Sequence, residues 1–433
     1  TVTLTPASTA VSAPGATVPS ATPDVLSAVP ATAQVPTTAG LQKALAPLLG
    51  AAGLGAAVSV QVVDVQTGKA LLSVNPAARP VPASTAKLLT AAAVLTTVGP
   101  QQTLPTTVVS GATPAEVVLV GGGDVLLGAG PGDPHAVAGR AGLADLADQV
   151  AAALQSSGRT SVAVRLDDGL FQGPAISPGW QPGDVAAGFV APVMALEVNA
   201  GVIPKKPARQ ADPAMSAAQT FAALLGRRGI AVTGPVTRAG APASASTLGT
   251  VRSAPVADLV EYALTMSDNT VAEALARLVA VKAGRPATFT DGGKAVLDQV
   301  GRLGVPVDGD HLVGGSGLAD GSSVSVATLT GLLALAGSAD HPQLRALLTG
   351  LPVAGASGTL SDRFAARDQH GGLGVVRAKT GTLKGVNALA GLVVDVDGRL
   401  LAFAILADKT GGTEAARAAL DDVAVALAGC GCH

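Results

Sequence analysis

Ser84 and Lys87 stand three residues apart in the run Pro82-Ala83-Ser84-Thr85-Ala86-Lys87-Leu88-Leu89. On a helix that spacing puts both on one face, where an amine can reach a hydroxyl and take its proton. A lysine serves as a base near neutral pH only when its pKa falls by several units, which burial and a second nearby cation would bring about. Two further clusters could join the same reaction. Ser267-Asp268-Asn269 offers a hydroxyl and an amide at the break between two helical stretches. Lys379-Thr380-Gly381-Thr382 falls on an expected strand; there the lysine would bind a carboxylate, Gly381 would leave room for a ligand, and a following N–H would face an oxyanion. Each cluster alone also has an ordinary structural reading: a helix-start serine with a solvated lysine, a helix cap, and an edge-strand lysine that deters aggregation. Among the lysines only Lys87 has a serine three residues before it, whereas Ser-x-Asn recurs at Ser73-Val74-Asn75.

The elements that must position these residues are legible in the apolar pattern. Val58 to Val65, the Gln66-Thr67-Gly68 turn and Lys69 to Val74 read as a β-hairpin. The Ala- and Leu-rich run from Ala83 to Leu95 reads as a buried helix with Ser84 in its first turn. Helical patterns return at 256–264 and 270–281. Residues 379–383, 389–395 and 400–406 form a strand series that closes on an Asp397-Gly398 turn before a helix over 413–428. Strands from both chain ends are therefore expected to assemble one mixed sheet, interrupted by an insertion. Between them, residues 104–248 mix short strands, helices and turn clusters and read as an inserted α/β body. Residues 1–39, rich in Ala, Pro, Thr and Ser, read as an extended tether. Residues 40–103 and 249–428 are expected to form the catalytic domain, and 429–433 a tail.

Composition removes several function classes. With 28 Lys+Arg against 30 Asp+Glu there is no clustered positive charge of the kind nucleic acid requires. One Trp, one Tyr and six Phe supply few rings for a stacking surface. Cys430 and Cys432 are the only cysteines, so no disulfide framework staples the body of the fold; the Cys-Gly-Cys-His tail has too few ligands for a zinc site and is expected to fray. No apolar run reaches the roughly 20 residues that span a bilayer. The tether and the absence of an initiator Met point to export, with a removed signal or membrane anchor upstream of residue 1. P-loop, G-x-G-x-x-G, H-E-x-x-H and G-x-S-x-G motifs do not occur, and none of the five histidines lies in a recognisable catalytic setting.

Ser-x-x-Lys, Ser-x-Asn and Lys-Thr-Gly in this order form the signature of penicillin-binding proteins and serine β-lactamases. The chain resembles the class C low-molecular-mass penicillin-binding proteins, D-alanyl-D-alanine carboxypeptidases and endopeptidases. The likeness spans about 55–410 and extends to Gly121-Gly122-Gly123-Asp124, Pro178-Gly179-Trp180, Gly315-Ser316-Gly317-Leu318 and Leu351-Pro352-Val353-Ala354-Gly355. The long interval between Lys87 and Ser267 suits the extra body of this branch. One departure is Gly315, where the family usually has an Asp, which would loosen a local hydrogen bond or alter side-chain recognition.

The resemblance implies an α+β (mixed α/β) fold, with an antiparallel sheet flanked by helices and a large inserted body. It implies a serine D-Ala-D-Ala carboxypeptidase or endopeptidase acting on peptidoglycan stem peptides outside the cytoplasm, acylated by β-lactams, with no metal or organic cofactor. Ser84 would be the nucleophile and Lys87 its base. Ser267 would relay a proton and Asn269 would orient Lys87. Lys379 would supply positive potential, with Thr380, Gly381, Thr382, Ser316 and Leu318 at the substrate. Two other readings stay open: a β-lactamase, and a catalytically silent wall-binding protein of the same fold.

Overall fold

The computed structural model describes residues 33–433, so most of the expected tether lies outside the described residues. Its last part is already structured: a helix runs from Thr38 to Leu49, with the Thr37 hydroxyl accepting from the Gly40 N–H.

Strands from the two chain ends pair in the order Arg377–Leu383, Val386–Val394, Leu400–Asp408, Ala57–Asp64 and Ala70–Val74. Every pairing is antiparallel, so this sheet is not a mixed one. Successive side chains on a strand point to opposite faces. In Leu400–Asp408, Leu401, Phe403 and Ile405 join a core formed with the helices Thr38–Leu49 and Thr413–Ala428. Ala402, Ala404 and Leu406 face the opposite core, built with the helices Lys87–Thr97, Asn269–Lys282 and Val326–Gly337. Both faces are covered, which is why this strand reads as an unbroken apolar run instead of an alternation. Residues Lys87 to Leu95 are all buried, as expected of an Ala/Leu helix enclosed on every side.

The nucleophile turn differs from expectation in one detail. Ser84 sits on a 3₁₀ turn, Ala83–Ala86, that runs into the α-helix beginning at Lys87. Pro82 starts the turn: its carbonyl accepts from both the N–H and the hydroxyl of Thr85.

Residues between the first two motifs build a second sheet, ordered Thr247–Pro255, Thr103–Ser110, Glu116–Gly121, Ser161–Asp167 and Ala231–Val232, with Thr237–Arg238 also on Ser161–Asp167. It combines antiparallel and parallel pairs and has its own core with the helices Leu143–Ser156 and Pro213–Arg227. The chain enters and leaves through the paired strands Thr103–Ser110 and Thr247–Pro255, so the two connections lie side by side. No helix among the described residues is long and apolar enough to cross a membrane.

The chain's last residues are held, not frayed. Cys430 and Cys432 form a disulfide, Cys430 is buried, and the Thr37 N–H donates to the Cys432 carbonyl at 2.7 Å. Both sulfurs are consumed, which removes them as soft ligands.

A buried ion pair ties together two neighbouring central strands that come from opposite ends of the chain. Arg399, at the turn before the last strand, donates through Nε and Nη2 to both carboxylate oxygens of Asp64 at 2.6 Å, and Asp64 is fully buried. Asp64→Ala strands a buried guanidinium and is expected to cost about 3–5 kcal/mol. Asp64→Ala combined with Arg399→Met should recover most of that loss, as read from denaturant midpoints of the three proteins.

Candidate active site

Lys87 opens the central helix with its amine 1% exposed to solvent. Its Nζ lies 2.9 Å from Ser84 Oγ, 2.6 Å from Asn269 Oδ1 and 3.0 Å from the Ser316 carbonyl. The amide and main-chain oxygens can only accept. A neutral amine therefore gives its two N–H groups to them and leaves its lone pair facing the Ser84 hydroxyl, the arrangement a general base needs. Burial pushes the Lys87 pKa down to about 7, against the opposing pull of Glu273 and Asp268.

Three separate segments supply this environment. Asn269 is the first residue of the helix Asn269–Lys282, and Asp268 caps that helix by accepting from the Val271 N–H at 3.0 Å. The capping reading of Ser-Asp-Asn and the chemical one therefore both hold, divided between neighbouring residues. Ser267, just before the cap, takes left-handed backbone with φ 55°, and Ala83, just before Ser84, has φ 46°. Non-glycine residues in that region are uncommon and gather where function over-determines the backbone. The Asn269 amide donates to the Phe189 carbonyl at 2.9 Å, which fixes which way the amide points and draws in residues from the inserted body. The Ala191 N–H reinforces that contact by donating to Thr270 Oγ1.

On the other side lies the strand Arg377–Leu383. Lys379 is fully buried, with Nζ donating to the Thr380 carbonyl at 3.0 Å. Burial, together with the charge of Lys87, pushes its pKa well below the usual lysine value. Thr380 shares a hydrogen bond with Thr359 at 2.8 Å, and Thr382 is exposed at the cleft. Gly381 has a different task from the one expected. A Cβ there would stand 2.9 Å from the Pro82 carbonyl and 3.1 Å from Ala83 Cβ, so the missing side chain lets the strand close on the nucleophile turn and leaves no vacant room for a ligand.

Ser84 and Thr382 are common to two recesses. One, of about 730 Å³, is also lined by Asn269 and Leu318 and by Gln181, Asp184 and Phe189 of the inserted body. The other, of about 340 Å³, is lined by Ser267, Thr359, Thr380 and Arg417. Ser84, Lys87, Ser267, Asn269, Lys379, Thr380 and Thr382 are thus brought together, with Leu318 at the rim. Ser316 is the exception. Its hydroxyl is fully buried and donates to Glu273, and only its carbonyl reaches the site, through Lys87. The main chain at Gly315 is held on both sides: its N–H donates to Glu273 at 2.8 Å and its carbonyl accepts from Thr90 at 2.6 Å. Glu273 escaped the sequence reading, although its position four residues after Asn269, on the same helix face, was the available signal.

Comparison with known proteins places this geometry in context. The model of the D-Ala-D-Ala carboxypeptidase 3 (S13) family matches residues 41–211 and 205–429. The carboxypeptidase Rv3627c of Mycobacterium tuberculosis is 39% identical over 409 residues, covering 93% of this chain and 86% of the relative. The carboxypeptidase DacB of Mycolicibacterium smegmatis is 37% identical, with 92% and 86% covered. Penicillin-binding protein 4 of Haemophilus influenzae shares the fold, with a TM-score of 0.73 at 22% identity, covering 89% of this chain and 98% of its own.

With burial pushing the Lys87 pKa down to about 7, the rate at which an acylating reagent modifies Ser84 should fall roughly tenfold with each pH unit below that value, because only the free amine can take the proton. Stopped-flow acylation from pH 5 to 9 measures it; a rate flat across this range would remove Lys87 as the base.

Proposed function

The chain belongs to the D-Ala-D-Ala carboxypeptidase 3 (S13) family, and from that premise we propose how its residues carry out the serine D-Ala-D-Ala carboxypeptidase reaction on peptidoglycan stem peptides. The observation that carries the reading is the Ser84–Lys87 contact at 2.9 Å inside a buried ring of acceptors.

Ser84 Oγ attacks the carbonyl carbon of the penultimate D-Ala as its proton passes to Lys87 Nζ. The N–H groups of Ser84 and Thr382 hold the oxyanion; one such donor typically stabilises the transition state by about 2.7–4 kcal/mol. The proton then travels from Lys87 toward the departing amine by way of Ser267, and the C–N bond breaks. Water enters, loses a proton to Lys87 and attacks the acyl carbon; Lys87 returns that proton to Ser84 Oγ as the ester C–O bond breaks, which frees the shortened peptide and restores the serine. The terminal carboxylate lies against Thr380 and Thr382, with Lys379 behind them. An anion arriving there favours the charged form of a lysine that burial otherwise disfavours, so the substrate itself draws the second positive charge into the site.

A β-lactam presents a strained amide in the place of the D-Ala-D-Ala bond and acylates the same hydroxyl. The substrate belongs to the cell wall, so the enzyme works on the extracytoplasmic side. The inserted body joins the site through Phe189, Gln181 and Asp184, on the wall of the larger recess. A silent wall-binding protein would have no use for a buried lysine aligned on a serine, and the large insertion sets the chain apart from compact β-lactamases.

Intact mass after incubation with benzylpenicillin should show a stable adduct of one penicillin, absent from Ser84→Ala. Rapid hydrolysis without an adduct would identify a β-lactamase, and neither adduct nor hydrolysis a silent protein. A synthetic peptide ending in D-Ala-D-Ala should release free D-alanine. Converting its terminal carboxylate to an amide should lower kcat/KM by a factor equivalent to about 1.5–3 kcal/mol, the range for hydrogen bonds to a charged group.

A further inference from the structure

The carboxylate of Glu273 is 1% exposed and touches neither substrate recess, yet it sits at the joint between two of the segments that hold Lys87. Its Oε2 accepts from the Gly315 N–H at 2.8 Å, and its Oε1 accepts from the Ser316 N–H at 3.0 Å and the Ser316 hydroxyl at 2.5 Å. The next link is direct, since the carbonyl of that same Ser316 receives Lys87 Nζ. Three donors converging on two oxygens is the pattern of an ionised carboxylate, which can only accept.

The loop is shaped around this group. A Cβ on Gly314 would lie 2.6 and 2.8 Å from the Glu273 oxygens, and one on Gly315 would lie 2.4 Å from Ala276 Cβ. The helix, not the loop, therefore supplies the carboxylate here, and two glycines leave space for it. Along the helix, Asn269, Glu273 and Arg277 are spaced four apart and share one face. Asn269 holds the Lys87 amine, Glu273 holds the loop whose carbonyl holds it from the other side, and Arg277 faces Glu273 from the next turn. The other charged groups around Lys87 are Asp268 at the start of that helix and Lys379 on the strand opposite.

We propose that Glu273 is a positioning residue for the general base: it fastens the 314–318 loop to the Asn269–Lys282 helix so that the Ser316 carbonyl and Asn269 grip Lys87 together, and its negative charge offsets the burial of that amine. This rests on Lys87 acting as the base for Ser84. Glu273 thus has two separable effects. The hydrogen bonds set how well the amine is aimed, and the charge sets the pH at which it becomes free.

The test is the pH profile of the second-order rate of acylation by benzylpenicillin in wild type, Glu273→Gln, Glu273→Asp and Ser316→Ala. Removing the charge in Glu273→Gln should move the acid limb to lower pH by about 1 unit, the low end of what an opposite charge close by imposes. Glu273→Asp should keep the limb in place while lowering the plateau, because it retains the charge and shortens the reach. Ser316→Ala breaks one hydrogen bond without changing charge and should also leave the limb where it is. Should Glu273→Gln alone not fold, Glu273→Gln with Arg277→Gln leaves no guanidinium facing an uncharged partner; because a positive charge farther from Lys87 is lost as well, it is expected to give a downward limb of smaller size. An unmoved limb in a charge-removed protein that still acylates overturns the proposal, as does an equal movement in Ser316→Ala. A wild type that is not acylated at any pH would instead overturn the functional reading on which it rests.

Discussion

Lys87 Nζ lies out of solvent with oxygens from three segments around it: Ser84 on its own turn, Asn269 from a helix far along the chain, and Ser316 from a loop further still. An amine so placed loses hydration that only its charged form fully exploits, and this desolvation suits it to the proposed role of a base near neutrality. Much of the architecture follows from the need to keep water from that nitrogen while leaving Ser84 open to the cleft. The central helix is enclosed by sheet and helices, and its first residue is buried although lysine is almost never fully buried unless paired. Such burial is tolerable because every hydrogen-bonding direction of the neutral amine has a partner.

The second demand is that the N–H and hydroxyl donors of Thr380 and Thr382 on the strand Arg377–Leu383 come close to the serine. Backbone must meet backbone, and Gly381 opposite Pro82 permits it. The strand is also the edge of the five-stranded sheet: its inner side pairs with Val386–Val394, its start is bridged on the outer side by Val353 and Pro352, and the outer side of the remainder faces the cleft. The edge position that would otherwise be an aggregation liability becomes the place where a substrate backbone can lie.

The inserted body contributes less through its own sheet than through the segment that returns from it. Phe189 and Ala191 bond to Asn269 and Thr270, at the start of the helix that carries the second motif. The body is thereby docked onto the catalytic machinery itself, and its residues form one wall of the larger recess.

The sequence by itself determined the chemistry and most of the elements. Ser84, Lys87, Asn269 and Lys379 stand in three short patterns, each with an ordinary structural reading of its own; it is their occurrence in order, with the family likeness around them, that reads as nucleophile, base and partners, while the period-two and helical patterns located the sheet that carries them. Local order sufficed for the elements because spacing along one helix or strand is a property of a few consecutive residues. Only the tertiary structure decided which of the remaining residues act. Ser316 was legible as part of a motif, but its hydroxyl turns to Glu273 and its carbonyl to Lys87. Gly381 looked like space for a ligand and proved to be space for Pro82. Glu273 carried no motif at all. The tail, expected to fray, packs against the start of the first helix through Thr37 and Cys432. In each case the deciding contact joins residues distant in sequence, and burial and hydrogen-bond satisfaction across such distances are settled only when the chain has closed on itself.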